Sequence, residues 1–317
     1  MTGTSGATGS VVFRNTDLPA LFHHADAVAV ARQREAVGSV RVRLLLLVVG
    51  AVAVALPSPP APADTFRVTG ALAVLAYAGV LLTGYRAARR RAASQWQLNR
   101  SAAEFIKSLC WRYAVHGTPF DTRSEGSGTD SGAADPLFAE RLEEGLRELA
   151  KVGWEDPRPA DGSLAGAELI TPAMRRLRAE SFGTRRDTYV RDRLIEQRNW
   201  YHRSAEHSRR SSRMWASAVA LLTLLALFLS LLHTVGVAEN AGLTGALSAA
   251  AAGCAAWTAF RRQQPLIAAH SLVEKDLAAM HSAMEVSVTG AQWPSAVYET
   301  ERMVSPQHTD WLVRHRG

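Results

Sequence analysis

Three uncharged apolar runs constrain this chain more than any other feature. Val68–Tyr85 holds 18 residues, Met214–Leu232 holds 19 and Asn240–Phe260 holds 21, with no Asp, Glu, Lys or Arg inside any of them. Crossing a bilayer core takes roughly 20 residues of helix. Lipid leaves backbone polar groups no outside partner, so such runs are predicted to be helical. The overall mean hydropathy of −0.05 resembles that of a soluble protein. That average hides how tightly the apolar residues are gathered. Met214–Leu232 is the most leucine-rich run, while Asn240–Phe260 is rich in alanine.

A fourth run, Leu44–Leu56, has 13 residues and stops at Pro57, Pro59, Pro60 and Pro62. At ~1.5 Å per residue it covers only ~20 Å. The span is completed if it starts near Val37, with Arg41 and Arg43 reaching back to the interface. The four runs then pair into two hairpins, with turns at Pro57–Arg67 and His233–Glu239. At the open ends sit Arg41, Arg43, Arg86, Arg89, Arg90, Arg91, Arg209, Arg210, Arg213, Arg261 and Arg262; only Arg67 lies at the other side. Arginine next to spans marks the cytoplasmic side. Both hairpins therefore predict a multi-pass protein of the inner or plasma membrane, with both termini and the middle region cytoplasmic. The expected fold is an all-α membrane protein: two transmembrane hairpins, four spans, and cytoplasmic helical extensions.

No apolar core followed by a small-residue cleavage site occurs in residues 1–36, so a cleavable signal peptide is not expected. Met1–Ser10 is rich in Gly, Ser and Thr. Cys110 and Cys254 are the only cysteines, which does not suggest a disulfide framework. All but three of the 36 basic residues are arginine, and the net charge is +7.

Between the hairpins, Gln95–Tyr113 reads as a helix with Ala103, Ile106, Cys110 and Tyr113 on one face. Arg100, Glu104 and Lys107 share another, at ion-pair spacing. Residues 116–164 read as a linker holding one short helix, begun by Asp135 as N-cap and Pro136 at the first position. Thr171-Pro172 repeats that signal before Met174–Ser181. Arg175–Arg213 carries twelve arginines against five acids and reads as one long basic helix entering the third span. Such charge suits nucleic acid. Beside a membrane it suits anionic lipid better, so the bilayer is the expected partner and nucleic acid is not. Val273, Leu277, Met280 and Met284 recur at 4-3-4 spacing, as in a coiled-coil seam. The seam is suited either to self-association or to packing within the chain.

The run Tyr189-x3-Arg193-x3-Gln197-x2-Trp200-Tyr201, followed by arginines and a hairpin, resembles the SLATT domains. So do the lead-in Thr171-Pro172-x-Met174 with Leu177 and Arg178, and a tail with Glu301, His308 and Trp311. Arg100-x3-Glu104-x2-Lys107 with Trp111, Arg112 and Tyr113, after its own hairpin, is similar to a second, divergent copy. On this basis residues 1–14 form a disordered N-terminus, 15–115 and 165–317 are two-span domains, and 116–164 join them. The resemblance implies a bacterial conflict-system effector. Such an effector forms a pore or disrupts the membrane when a separately encoded nucleotide-signal or ligand sensor triggers it. The alternative is a membrane-anchored helical scaffold or adaptor without pore activity.

Gly245, Ala249 and Gly253 form a small-residue stripe on the fourth span, and Ala76, Gly79 and Thr83 a weaker one on the second. Such stripes let helices approach closely, either between subunits of a homo-oligomer or inside one chain. Ionisable residues, which ion-coupled transport normally needs, are missing from the three long spans. No phosphate-binding loop or nucleophile elbow occurs. The ten histidines lack partners at metal-ligand spacing. No cofactor, metal or enzymatic activity is expected.

Overall fold

The computed structural model describes residues 11–55, 63–90, 92–121, 131–158, 169–236 and 241–305. Residues 1–10, part of each hairpin turn, His308 and Trp311 lie outside these. Among the described residues there is no strand. The helices are α1 (Ala20–Ala55), α2 (Ala63–Arg90), α3 (Ala92–Ala114), α4 (Ser131–Lys151), α5 (Pro172–Ala179), α6 (Phe182–Tyr189), α7 (Glu196–Thr234), α8 (Ala241–Arg261), α9 (Gln263–Val286) and α10 (Trp293–Val304). A π-helical turn, Val190–Ile195, joins α6 to α7. Four helical stretches are long and apolar enough to cross a membrane. Helix α1 has 36 residues and α7 has 39. At ~1.5 Å per residue they reach ~54 and ~58 Å, well beyond a ~30 Å hydrocarbon core. The spans therefore continue as helical extensions, and the short apolar run that begins at Leu44 lies at the end of a much longer helix, α1.

Several helix boundaries depart from expectation. Asp135 does not cap α4, which starts at Ser131 and carries Pro136 inside it. Its carboxylate is instead engaged by the Tyr113 hydroxyl at 2.5 Å and Arg175 at 3.1 Å. Nor is Arg175–Arg213 one helix. The chain breaks at Glu180 and restarts at Ser181, whose hydroxyl accepts from Thr184 N–H. Competition from such a cap favours a new helix start over continuation. Thr171 does cap α5, accepting from Met174 N–H, with Pro172 in the first turn. Pro265 lies in the first turn of α9, just after Arg262, whose φ of 44° separates α8 from α9.

The chain divides into two compact units. One comprises Ala31–Ser94 and Ala205–Ile267 and contains the four spans. Its buried apolar side chains, among the described residues, are alanines (36, 53, 73, 76, 205 and 226) and Trp257. Its large side chains face outward: Leu45, Leu75, Leu81, Leu224 and Leu227 are all more than 60% exposed. This reverses the water-soluble pattern and suits a lipid solvent, where small residues let helix backbones approach. A Cβ on Gly79 would stand 2.9 Å from Leu46, and one on Gly50 3.0 Å from the Tyr77 ring, so α1 and α2 pack closely. A Cβ on Gly253 would stand 2.8 Å from Val48, and one on Gly245 3.5 Å from Ala55. The α8 stripe thus meets α1 of its own chain.

The other unit comprises Met1–Val30, Gln95–Ser204 and Ala268–Gly317. It has an ordinary large-residue core. Phe13, Trp111, Tyr189, Trp293 and Phe182 form a chain of edge-to-face rings with centroids 4.7–5.7 Å apart. Tyr113, Phe120 and Phe138 form a second cluster. The predicted α3 face is buried, with Ala103, Ile106, Cys110 and Tyr113 all at or below 1% exposure. Helix α4 buries Phe138, Leu142 and Leu146 in this core. Val273, Leu277 and Met284 of the α9 seam are also buried here, so the seam is covered by its own chain.

Candidate functional site: a buried ion network

The unit outside the spans has a charged centre built by three parts of the chain. The π-helical turn supplies Arg193, α10 supplies Glu301 and α6 supplies Tyr189. Arg193 donates to Glu301 through Nε at 2.9 Å and Nη2 at 2.7 Å, a bidentate pair. The Tyr189 hydroxyl donates to Glu301 Oε1 at 2.9 Å. Arg193 and Glu301 are 2% and 3% exposed, and Tyr189 is fully buried. Burial alone would lower the affinity of the Arg193 guanidinium for its proton. The Glu301 charge and hydrogen bonds more than offset that and hold it ionised. Burial, followed by the Glu301 charge, raises the Tyr189 hydroxyl well above its usual range, so it stays a donor. Irregular π turns recur at functional sites because they re-aim a side chain.

Helix α3 brings Arg100, Glu104 and Lys107 to the same region. Arg100 pairs with Glu104 at 2.6 Å and with Asp26 at 3.4 Å. Lys107 is only 8% exposed. Burial, aided by the nearby Arg193 charge, lowers its pKa to about 8 despite Glu104, Glu196 and Glu301. Two buried atoms of this network have no hydrogen-bond partner: Arg193 Nη1 and Glu104 Oε2. Both residues line a cleft of about 190 Å³, together with Ser101, Ser108, Arg112 and Arg302. The arrangement joins three distant segments through desolvated charge.

Arg100, Glu104, Tyr189, Arg193 and Glu301, singled out from the sequence, are thus brought together. Gln197 is half-buried on α7. The Tyr201 hydroxyl donates to the Val304 carbonyl at 3.3 Å, while Trp200 stays 40% exposed against Tyr201 and His270. Sequence reasoning did not give Arg178 its role. Buried at 6% exposure, it donates to the carbonyls of Tyr113 at 2.7 Å and Phe120 at 3.2 Å. Its basic surroundings in α5 resemble a solvated face, and only the preceding residue, Leu177, hinted at burial.

Four lipid-facing helices in two hairpins, joined to a helical unit locked by buried charge, define a tandem two-hairpin membrane protein. The chain belongs to the SLATT family: the family described as SMODS and SLOG-associating 2TM effector domain 3 matches residues 19–186, and domain 1 of the same series matches residues 189–311. No curated protein and no solved structure matches the chain significantly.

Proposed function

We propose that this protein is a membrane effector of a bacterial conflict system, directed against phage or other invaders. When a separately encoded nucleotide-signal sensor triggers it, copies of the chain assemble into a pore or otherwise disrupt the membrane. The observation that carries this is the inverted packing of the spans. Alanine and glycine hold the helices together, and leucine faces outward. A bundle held by small residues has little core to lose when its helices repack against other copies. The three long uncharged spans disfavour ion-coupled transport and suit a pore lined by small and hydroxyl side chains that gates by dewetting. The reading assigns the protein no enzymatic step.

The test is dye release from liposomes carrying the full chain, with and without a co-purified nucleotide-signal sensor and its signal. Release on triggering, with a parallel shift to higher oligomers, is expected. Oligomers that leave the vesicles intact would make the protein a scaffold and overturn the pore.

A further inference from the structure

The span-containing unit carries a groove of about 440 Å³, within the size range of small-molecule sites. Helix α1 lines it with Leu45 and Val48, α7 with Trp215, and α8 with Cys254 and Trp257; Arg41 is its charged residue. Arg41 stands over the Trp257 ring with its guanidinium carbon 5.1 Å from the centroid, and Arg261 approaches the same ring at 5.8 Å. Two guanidinium groups therefore converge on one indole. Among the described residues neither has a carboxylate partner, and no acidic residue lines the groove. Aromatic faces attract cations but leave their charge unneutralised. The missing counterpart is an anion attached to a long apolar body.

We propose that this groove is a binding site for an anionic phospholipid, one acyl chain lying along Leu45, Val48 and Trp215 and the phosphate seated between Arg41 and Arg261. A free anion would leave the apolar wall uncovered, and a neutral lipid would leave both arginines unpaired. The arginine asymmetry of the hairpin ends predicts that they face the leaflet where anionic lipids gather. The site concerns what the resting chain holds, and stands whether or not the protein forms a pore.

The chain contains its own reporter. Cys254 lines the groove and is partly exposed, whereas Cys110 is fully buried and burial raises its thiol well above the usual range. The experiment uses the full chain in nanodiscs of phosphatidylcholine, with or without phosphatidylglycerol. Modification of Cys254 by a membrane-soluble maleimide is followed by mass spectrometry. Phosphatidylglycerol is expected to slow the reaction at least fivefold, and inorganic phosphate to have no effect. Arg41→Gln with Arg261→Gln should abolish the protection. Native mass spectrometry should show phosphatidylglycerol retained by the natural protein and lost from Ala250→Phe, which fills the groove. The wild-type comparison needs no variant, so a misfolded variant does not rescue the proposal. Equal rates in both lipids would overturn it, as would protection that depends on protein concentration, since a second copy would then fill the groove.

Discussion

Glu301 is the residue on which the buried network depends. Removing one partner of a buried pair leaves an uncompensated charge, which costs about 3–5 kcal/mol. Glu301→Gln should therefore lower the thermal midpoint severely. Tyr189→Phe removes one donor from a carboxylate that Arg193 still holds, and should cost only about 1 kcal/mol. Thermal melts of both variants in one lipid mixture check the ratio; equal losses would mean that the Tyr189 hydroxyl matters as much as the Glu301 charge, against the ion pair as the dominant contact. Lys107 gives a pH test. Its folded pKa of about 8 lies below the 10.5 of the free side chain, so the unfolded chain holds the proton more tightly. Stability should rise as pH climbs from 8 to 10.5, with the full penalty present below 8. Lys107→Met should remove that rise and gain on the order of 3 kcal/mol at pH 7. If the two proteins melt in parallel across that window, Lys107 is not desolvated. The Arg100, Glu104 and Lys107 spacing was legible in the sequence, but their burial was not. Glu301 approaches from 108 positions beyond Arg193, and spacing along one helix carries no trace of such a neighbour.

At the scale of elements, caps were easier to read than continuity. Thr171-Pro172 announced α5 because a hydroxyl before proline has a local partner within three residues. The restart at Ser181 is harder to read: Thr171-Pro172 sets off Met174–Ser181, but twelve arginines across Arg175–Arg213 look like one long basic helix. Ser181→Ala should cost about 1 kcal/mol by leaving the first turn of α6 uncapped. Melting measurements check it, and no loss would mean that α6 is held by tertiary packing alone. Asp135 misled in the opposite direction, since the same carboxylate serves Tyr113 and Arg175 instead of its own helix. On α8, Gly253→Leu puts a Cβ 2.8 Å from Val48, an overpacking worth roughly 1–3 kcal/mol. Ala249→Leu should likewise weaken the resting bundle. Detergent-extracted protein should show this as a lower midpoint. If oligomerisation falls with the midpoint unchanged, the stripe serves contacts between subunits.

For the whole molecule, the spans were visible because three of them are long and uncharged, a property of composition rather than of partners. The grouping of segments was not visible. Each compact unit takes pieces from both halves of the chain, so chain order misses it. The first family match likewise runs on to residue 186, through α4 and α5. The topology to be tested is two hairpins that cross the membrane and open to the same side. Reporter fusions at residues 1, 128 and 317, with cysteines at Ser58 and Glu239, measure this in intact cells. The arginine asymmetry predicts cytoplasmic signals at all three fusions and labelling from outside at both turns. An external signal at residue 128 would contradict it, because the first hairpin would then cross only once.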